Sequence, residues 1–157
     1  MNKDEYYMNL ALKEANKAFK REEVPVGVII VSDDKIVARG YNMRELKGDI
    51  TKHAELIAIK KANKKIHDWR LENCTMYVTL FPCPMCASAI VQSRIKKIVI
   101  GANTKDLTNK QIVDLIFTDS LKKRKLEIVE NVLEKECSLI LKSFFKHQRE
   151  KVNKKEK

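Results

Sequence analysis

Two short motifs, far apart in the chain, have chemical meaning only if the fold brings them together: His53-Ala54-Glu55 and Pro82-Cys83-Pro84-Met85-Cys86. Between them they offer one imidazole and two thiols as metal ligands, plus a carboxylate that need not be a ligand. Three protein ligands leave tetrahedral Zn²⁺ one open position, which separates catalytic from structural sites. Water in such a position becomes acidic near neutral pH, and a carboxylate two residues from the imidazole can move its proton. Any fold for this chain must therefore set residues 53–55 against residues 82–86.

Each motif alone is ambiguous. Cys-x-x-Cys also serves as a redox pair or as half of a structural zinc site. A thioredoxin-like pair has no use for His53 or Glu55. A structural site needs a fourth ligand, and the nearby sulfur is Cys74, which precedes a strand and lacks the paired spacing of such sites. Cys74 and Cys137 lie among apolar residues and are expected in the core. The four cysteines of this 157-residue chain do not make a disulfide framework. The combination His-x-Glu with Pro-Cys-x-x-Cys is the known signature of zinc nucleobase deaminases.

Hydrophobic spacing places the motifs on elements. Tyr7, Leu10, Ala11, Ala15, Ala18 and Phe19 recur at helical intervals, so a helix is expected near residues 3–20. Val28 to Val31 and Ile36 to Ala38 flank Ser32-Asp33-Asp34 and predict a hairpin. Asn42 to Lys52 is polar and reads as a loop. A helix is expected from near His53 through Ile57, Ala58 and Lys61, capped by Thr51. Thr75 to Leu80 predicts a strand. Pro84 suits the first position of the next helix, making Cys83 its cap and putting Cys86 in its first turn. The positive end of that helix would favour both thiolates. Ile98 to Ile100 predicts a strand ending at Gly101-Ala102, and Glu127 to Glu130 another, while residues 103–120 have no clear period. Leu133, Cys137, Ile140, Leu141 and Phe144 form one face of a last helix. Residues 1–150 are expected to form one domain, with 151–157 a basic tail that frays. Helices interleaved with strands predict an α/β fold, a sheet covered by helices in three α/β/α layers.

Composition adds less. No apolar run reaches membrane-spanning length and Met1 to Glu5 has no signal pattern, so a cytoplasmic location is expected, with no membrane association. The net charge of +11 fits an extended anionic partner such as RNA. It also fits a lysine-rich solvated surface, and the run Lys122-Lys123-Arg124-Lys125 reads as ordinary surface of that kind.

Over nearly its whole length the sequence is similar to bacterial tRNA-specific adenosine deaminases. The matching segments are Glu23-Val24-Pro25-Val26-Gly27, Gly40-Tyr41-Asn42, the two zinc motifs, Tyr77 to Leu80, Ser93-Arg94-Ile95, Gly101-Ala102 and Ser143-Phe144-Phe145-Lys146. The resemblance implies a cytidine deaminase-like sandwich with a central mixed five-stranded sheet, a homodimer and no organic cofactor. It implies Zn²⁺ held by His53, Cys83 and Cys86, with Glu55 as catalytic proton shuttle. It implies substrate contacts at Asn42, Asp49, Ala54, Phe144, Lys146 and Arg149, the last three meeting a tRNA anticodon loop. The expected reaction is hydrolytic deamination of adenosine to inosine at the wobble position of an arginine tRNA. Two departures keep a free-nucleotide or nucleobase deaminase, such as a deoxycytidylate or guanine deaminase, in view. Phe81 stands where relatives usually have Glu, and the stretch after Ala102 lacks their glycines. A non-catalytic RNA-binding subunit is a third reading, which the intact Glu55 opposes.

Overall fold

The computed structural model describes the backbone of residues 1–123 and 126–156 and the side chains of residues 1–118 and 126–155. The lysine-rich run at 122–125 lies outside the described side chains. Eleven elements follow in the order α1 (Lys3–Lys20), β1 (Gly27–Ser32), β2 (Lys35–Tyr41), α2 (Arg44–Lys47), α3 (Ala54–Ile66), β3 (Cys74–Leu80), α4 (Pro84–Gln92), β4 (Lys97–Ala102), α5 (Leu107–Lys123), β5 (Glu127–Val129) and α6 (Glu134–Glu156).

The strands form one sheet in the order β2-β1-β3-β4-β5. β1 is antiparallel to both β2 and β3, whereas β3–β4 and β4–β5 are parallel, so the sheet is mixed. Side chains alternate across it, as a two-residue period requires. Val28, Ile30, Met76, Val78, Ile98 and Ile100 enter one core with α3, α4 and α5. Ile29, Val31, Tyr77 and Val99 enter the other with α1 and the start of α6. Both faces are thus buried, which gives the three expected layers.

The pairing also decides where a site can form. β2 and β3 each oppose β1 and so run the same way, and β4 runs with β3. The carboxyl ends of β2, β3 and β4 therefore share one sheet edge, the edge at which ligands bind in open α/β sheets. α3 lies close against β2 because residue 40 is glycine. A Cβ there would stand 2.6 Å from the Ala54 carbonyl oxygen and 3.1 Å from the Ala58 nitrogen. Any larger residue would push the first turn of α3 away from the sheet.

Four expectations change. α5 occupies the stretch that had no readable period. Its buried Val113 and Phe117 share the helix with exposed Leu107, Ile112 and Leu115, so apolar residues lie on more than one face and the period is blurred. Asp106, just before α5, accepts a hydrogen bond from the Asn109 amide at 3.1 Å, which is the capping signal that could have found it. The supposed loop after Asn42 contains α2, ended by Gly48 in the left-handed region (φ 57°). Thr51 does not cap α3; His53 takes that position. Finally, α6 continues through residues expected to fray. At the start of that stretch Glu22 pairs with Lys151 at 2.7 Å and accepts from Gln148 at 2.7 Å.

Candidate active site

His53 and Cys83 occupy the N-cap positions of α3 and α4, yet neither side chain caps its helix. A capping side chain is worth about 1 kcal/mol. Both side chains are instead turned towards each other. His53 Nδ1 lies 3.6 Å from Cys83 Sγ and 3.5 Å from Cys86 Sγ. Pro84 follows Cys83 at the start of α4, as its missing N–H allows, and this puts the buried Cys86 one turn along.

The three ligand atoms lie within 4.8 Å of one another. Tetrahedral zinc, with Zn–S of about 2.3 Å and Zn–N of about 2.0–2.1 Å, requires nitrogen and sulfur about 3.5 Å apart. The observed spacing fits that ion, and Nδ1 is the ring nitrogen that would hold it. Among the described residues no fourth side chain joins the group. Cys74 is buried at the start of β3 and Cys137 at the start of α6, both in the core as expected.

The charges suit a cation. The Cys83 thiol is drawn down to about 4, chiefly by the hydrogen bond from Cys86 and further by His53. That same hydrogen bond, together with burial, holds the Cys86 thiol far above its usual range. A metal ion reverses the second shift, because coordination deprotonates a thiol outright.

Glu55, in the first turn of α3, is 4% exposed. Burial pushes its carboxyl up to about 7. A cation at the His-Cys-Cys group would draw it back down, towards a carboxylate able to accept a proton. Glu55 also lines a cavity of about 210 Å³ with Val24, Asn42, Arg44, Ala54, Thr104 and Asn109.

The expected substrate contacts divide. Asn42 and Ala54 line the cavity. Asn42 Oδ1 accepts from the Arg44 amide at 3.3 Å and Nδ2 donates to the Val24 carbonyl at 3.4 Å. One lone pair and one hydrogen remain for a ligand. Asp49 lies outside the cavity lining, and its Oδ1 accepts from both the amide (2.8 Å) and the hydroxyl (2.6 Å) of Thr51. Phe144 is corrected. It is 4% exposed, packed edge-on against Phe19, and offers RNA no ring face. Its neighbour Phe145 is 46% exposed. Phe145 lines a second depression of about 680 Å³ with Asn103, Lys105, Lys142 and Arg149. Arg149 is part of that lining, and Lys146 lies outside it. The depression shares Val24, Leu80 and Thr104 with the catalytic cavity, so the two adjoin. His67 is exposed, and His147 pairs with Glu22 at 3.6 Å.

Arg44, Thr104 and Asn109 were not foreseen as cavity residues. Thr104 and Asn109 lie in the stretch without a period, and Arg44 lies in the supposed loop. Phe81 forms part of the cavity wall, and the Lys110 ammonium sits 4.7 Å from its ring centroid. A cation–π contact from α5 thus backs this part of the wall.

One nitrogen and two sulfur ligands, with a buried carboxylate beside them, define a class: zinc hydrolases that activate water. The profile for the cytidine and deoxycytidylate deaminase zinc-binding region matches residues 1–102. A tRNA-specific adenosine deaminase of Buchnera aphidicola is 45% identical over 148 residues, 94% of this chain and 97% of that protein. That of Bacillus subtilis is 43% identical over 152 residues, 96% of this chain and 94% of the relative. A solved structure from a study of A-to-I editing by tRNA deaminases at the wobble position superposes with TM-score 0.77. It is 33% identical and the match covers 87% of this chain and 99% of that one. The chain belongs to the tRNA-specific adenosine deaminases within the zinc-dependent cytidine and deoxycytidylate deaminase family.

Proposed function

We propose that this protein converts adenosine to inosine in tRNA by hydrolysis, at the wobble position of an anticodon loop, with an arginine tRNA as substrate. One observation carries the proposal: the buried Glu55 carboxylate beside a zinc-type ligand set, in a cavity that adjoins a basic, aromatic-edged depression. His53 Nδ1, Cys83 Sγ and Cys86 Sγ would hold the ion. When bound, zinc supplies the Lewis acidity that makes water nucleophilic near neutral pH. Glu55 takes the proton of the attacking water as its oxygen bonds to the ring carbon bearing the exocyclic amine. Glu55 then returns that proton to the adjacent ring nitrogen. It relays the second proton to the amine, the carbon–nitrogen bond breaks and ammonia leaves. A single carboxylate able to accept and donate suffices for each transfer. Asn42 orients the base with its free lone pair and hydrogen.

The depression supports an RNA rather than a free base. Single-stranded loops are read by stacking on aromatic rings and by phosphate contacts. Phe145 offers the ring, and Lys105, Lys142 and Arg149 the charge. tRNA turnover at limiting substrate should therefore fall steeply with salt. Replacing Lys142 and Arg149 together with Ala should flatten the log–log salt slope by about 1.4, from about 0.7 for each phosphate no longer neutralised. Binding titrations over a salt series measure this. A slope unchanged in the double variant, or efficient deoxycytidylate deamination with no inosine in tRNA, would reject the anticodon-loop assignment and make Phe81 the better guide.

The family resemblance supports a symmetric homodimer. Leu107 and Leu115, 71% and 70% exposed on α5, offer apolar area on the helix that packs beside α4, which carries Ser88 and leads to Arg94. Light scattering should give twice the 18.2 kDa chain mass, and Leu115→Asp should lower it. A monomeric mass for the unaltered protein at micromolar concentration would reject the dimer. Among the described residues no helix is long and apolar enough to cross a membrane, consistent with the cytoplasmic location proposed for a tRNA-modifying protein.

A further inference from the structure

Glu23 is 1% exposed, and nothing in the reaction above uses it. It lies between α1 and β1, in the segment that also supplies Val24 and Val26 to the cavity wall. Its Oε1 accepts from the Glu45 amide at 3.0 Å and its Oε2 from the Leu46 amide at 2.9 Å. A buried carboxylate is costly unless its oxygens are hydrogen-bonded, and here each oxygen has one amide. Those amides belong to α2, a four-residue helix none of whose residues is buried. The core gains little from holding α2. The cavity gains more, since Asn42 and Arg44, beside and within α2, form its wall.

Further bonds join the same two segments. The Asn42 amide donates to the Val26 carbonyl at 3.1 Å, and its side chain to the Val24 carbonyl at 3.4 Å. Within the second segment, the Arg44 amide donates to Asn42 Oδ1 at 3.3 Å. The outer wall is therefore two short segments joined edge to edge, and the Glu23 carboxylate is the charged group in the seam.

We propose that Glu23 is a positioning residue: its carboxylate anchors α2 so that Asn42 and Arg44 face the substrate. The kinetic part of this inference rests on the proposed tRNA reaction, and the structural part does not. Glu23→Gln keeps the shape but turns an amide NH₂ towards one of the two backbone N–H groups. It should raise KM for tRNA about tenfold with kcat within about threefold, as for a weakened binding interaction rather than an impaired chemical step. Zinc content should stay the same, and hydrogen exchange at residues 44–47 should quicken. In an Asn42→Ala/Arg44→Ala background the same substitution should add less than about twofold, because its effect passes through those two side chains. Glu23→Asp retains the charge with a shorter reach. It should shift exchange and KM in the same direction and serves if the Gln variant folds poorly.

Multiplying effects in the combined variant, or exchange at 44–47 unchanged in both single variants, would overturn the assignment, as would a fall in kcat with KM unaltered. If the unaltered protein forms no inosine, the proposed reaction fails, while exchange at 44–47 still decides whether Glu23 anchors α2.

Discussion

Glu55→Ala should yield a folded, zinc-loaded protein whose turnover has dropped by about 10²–10⁴, the usual contribution of a positioned acid–base group. The upper end is expected, because one carboxylate serves successive transfers with no second acid beside it in the cavity lining. Folding should not suffer. Burial raises the Glu55 pKa from 4.5 to about 7. A carboxyl whose folded pKa is raised binds its proton more tightly folded than unfolded. Stability from this group is therefore full at low pH and declines as pH rises through that window. At neutral pH the ionised side chain opposes folding of the metal-free chain, so Ala at this position should leave its melting temperature equal or higher. Inosine analysis of tRNA and metal analysis of the loaded protein test the first two statements, and a melting curve of the zinc-stripped protein tests the third. Near-normal turnover would remove Glu55 from the reaction. Joint loss of zinc and turnover would make it a support for the metal instead.

The second large effect concerns the metal. The purified protein should carry about one zinc per chain, and His53→Ala, Cys83→Ala or Cys86→Ala should each lose it along with detectable turnover. Among the described residues the group contains three side chains and Cys74 is buried in the core, so none stands ready as a substitute. Cys74→Ala should therefore keep its zinc. Chelation should abolish activity and zinc should restore it. Metal held at 1,000 times its dissociation constant should stabilise the fold by about 4 kcal/mol, so the stripped protein should melt earlier. Spectroscopy showing four protein ligands, or a preparation active without zinc, would contradict this site.

Much of the site was legible because its signals are local. A proline at the first helical residue, paired cysteines three residues apart and a carboxylate two residues from an imidazole all depend on neighbours within four residues. His53, Glu55, Cys83 and Cys86 are each defined in this way. The β strands were legible for a similar reason, since both faces of the sheet are buried and the apolar runs are dense. The C-terminal helix shows the limit. Phe144 and Phe145 are adjacent, and spacing assigns an interior face. Only the packing of Phe144 against Phe19 of α1 shows which ring is buried. Asp49 stands just ahead of a motif, and only the structure shows that its Oδ1 accepts from Thr51 outside the cavity lining.

From the sequence alone came the ligand set, the carboxylate beside it, the two helix starts that carry them and the layered α/β architecture. These rest on short-range periodicity and hydrogen bonding, which a linear chain displays directly. The tertiary structure decided which distant residues share the cavity: Val24 before β1, Arg44 after β2, Thr104 after β4 and Asn109 on α5. It also decided that Glu23 anchors α2 and that Lys110 stacks on Phe81. Their meeting depends on the strand order β2-β1-β3-β4, which brings three carboxyl ends to one edge. Strand order is set by burial of whole faces against helices, and no local pattern records it.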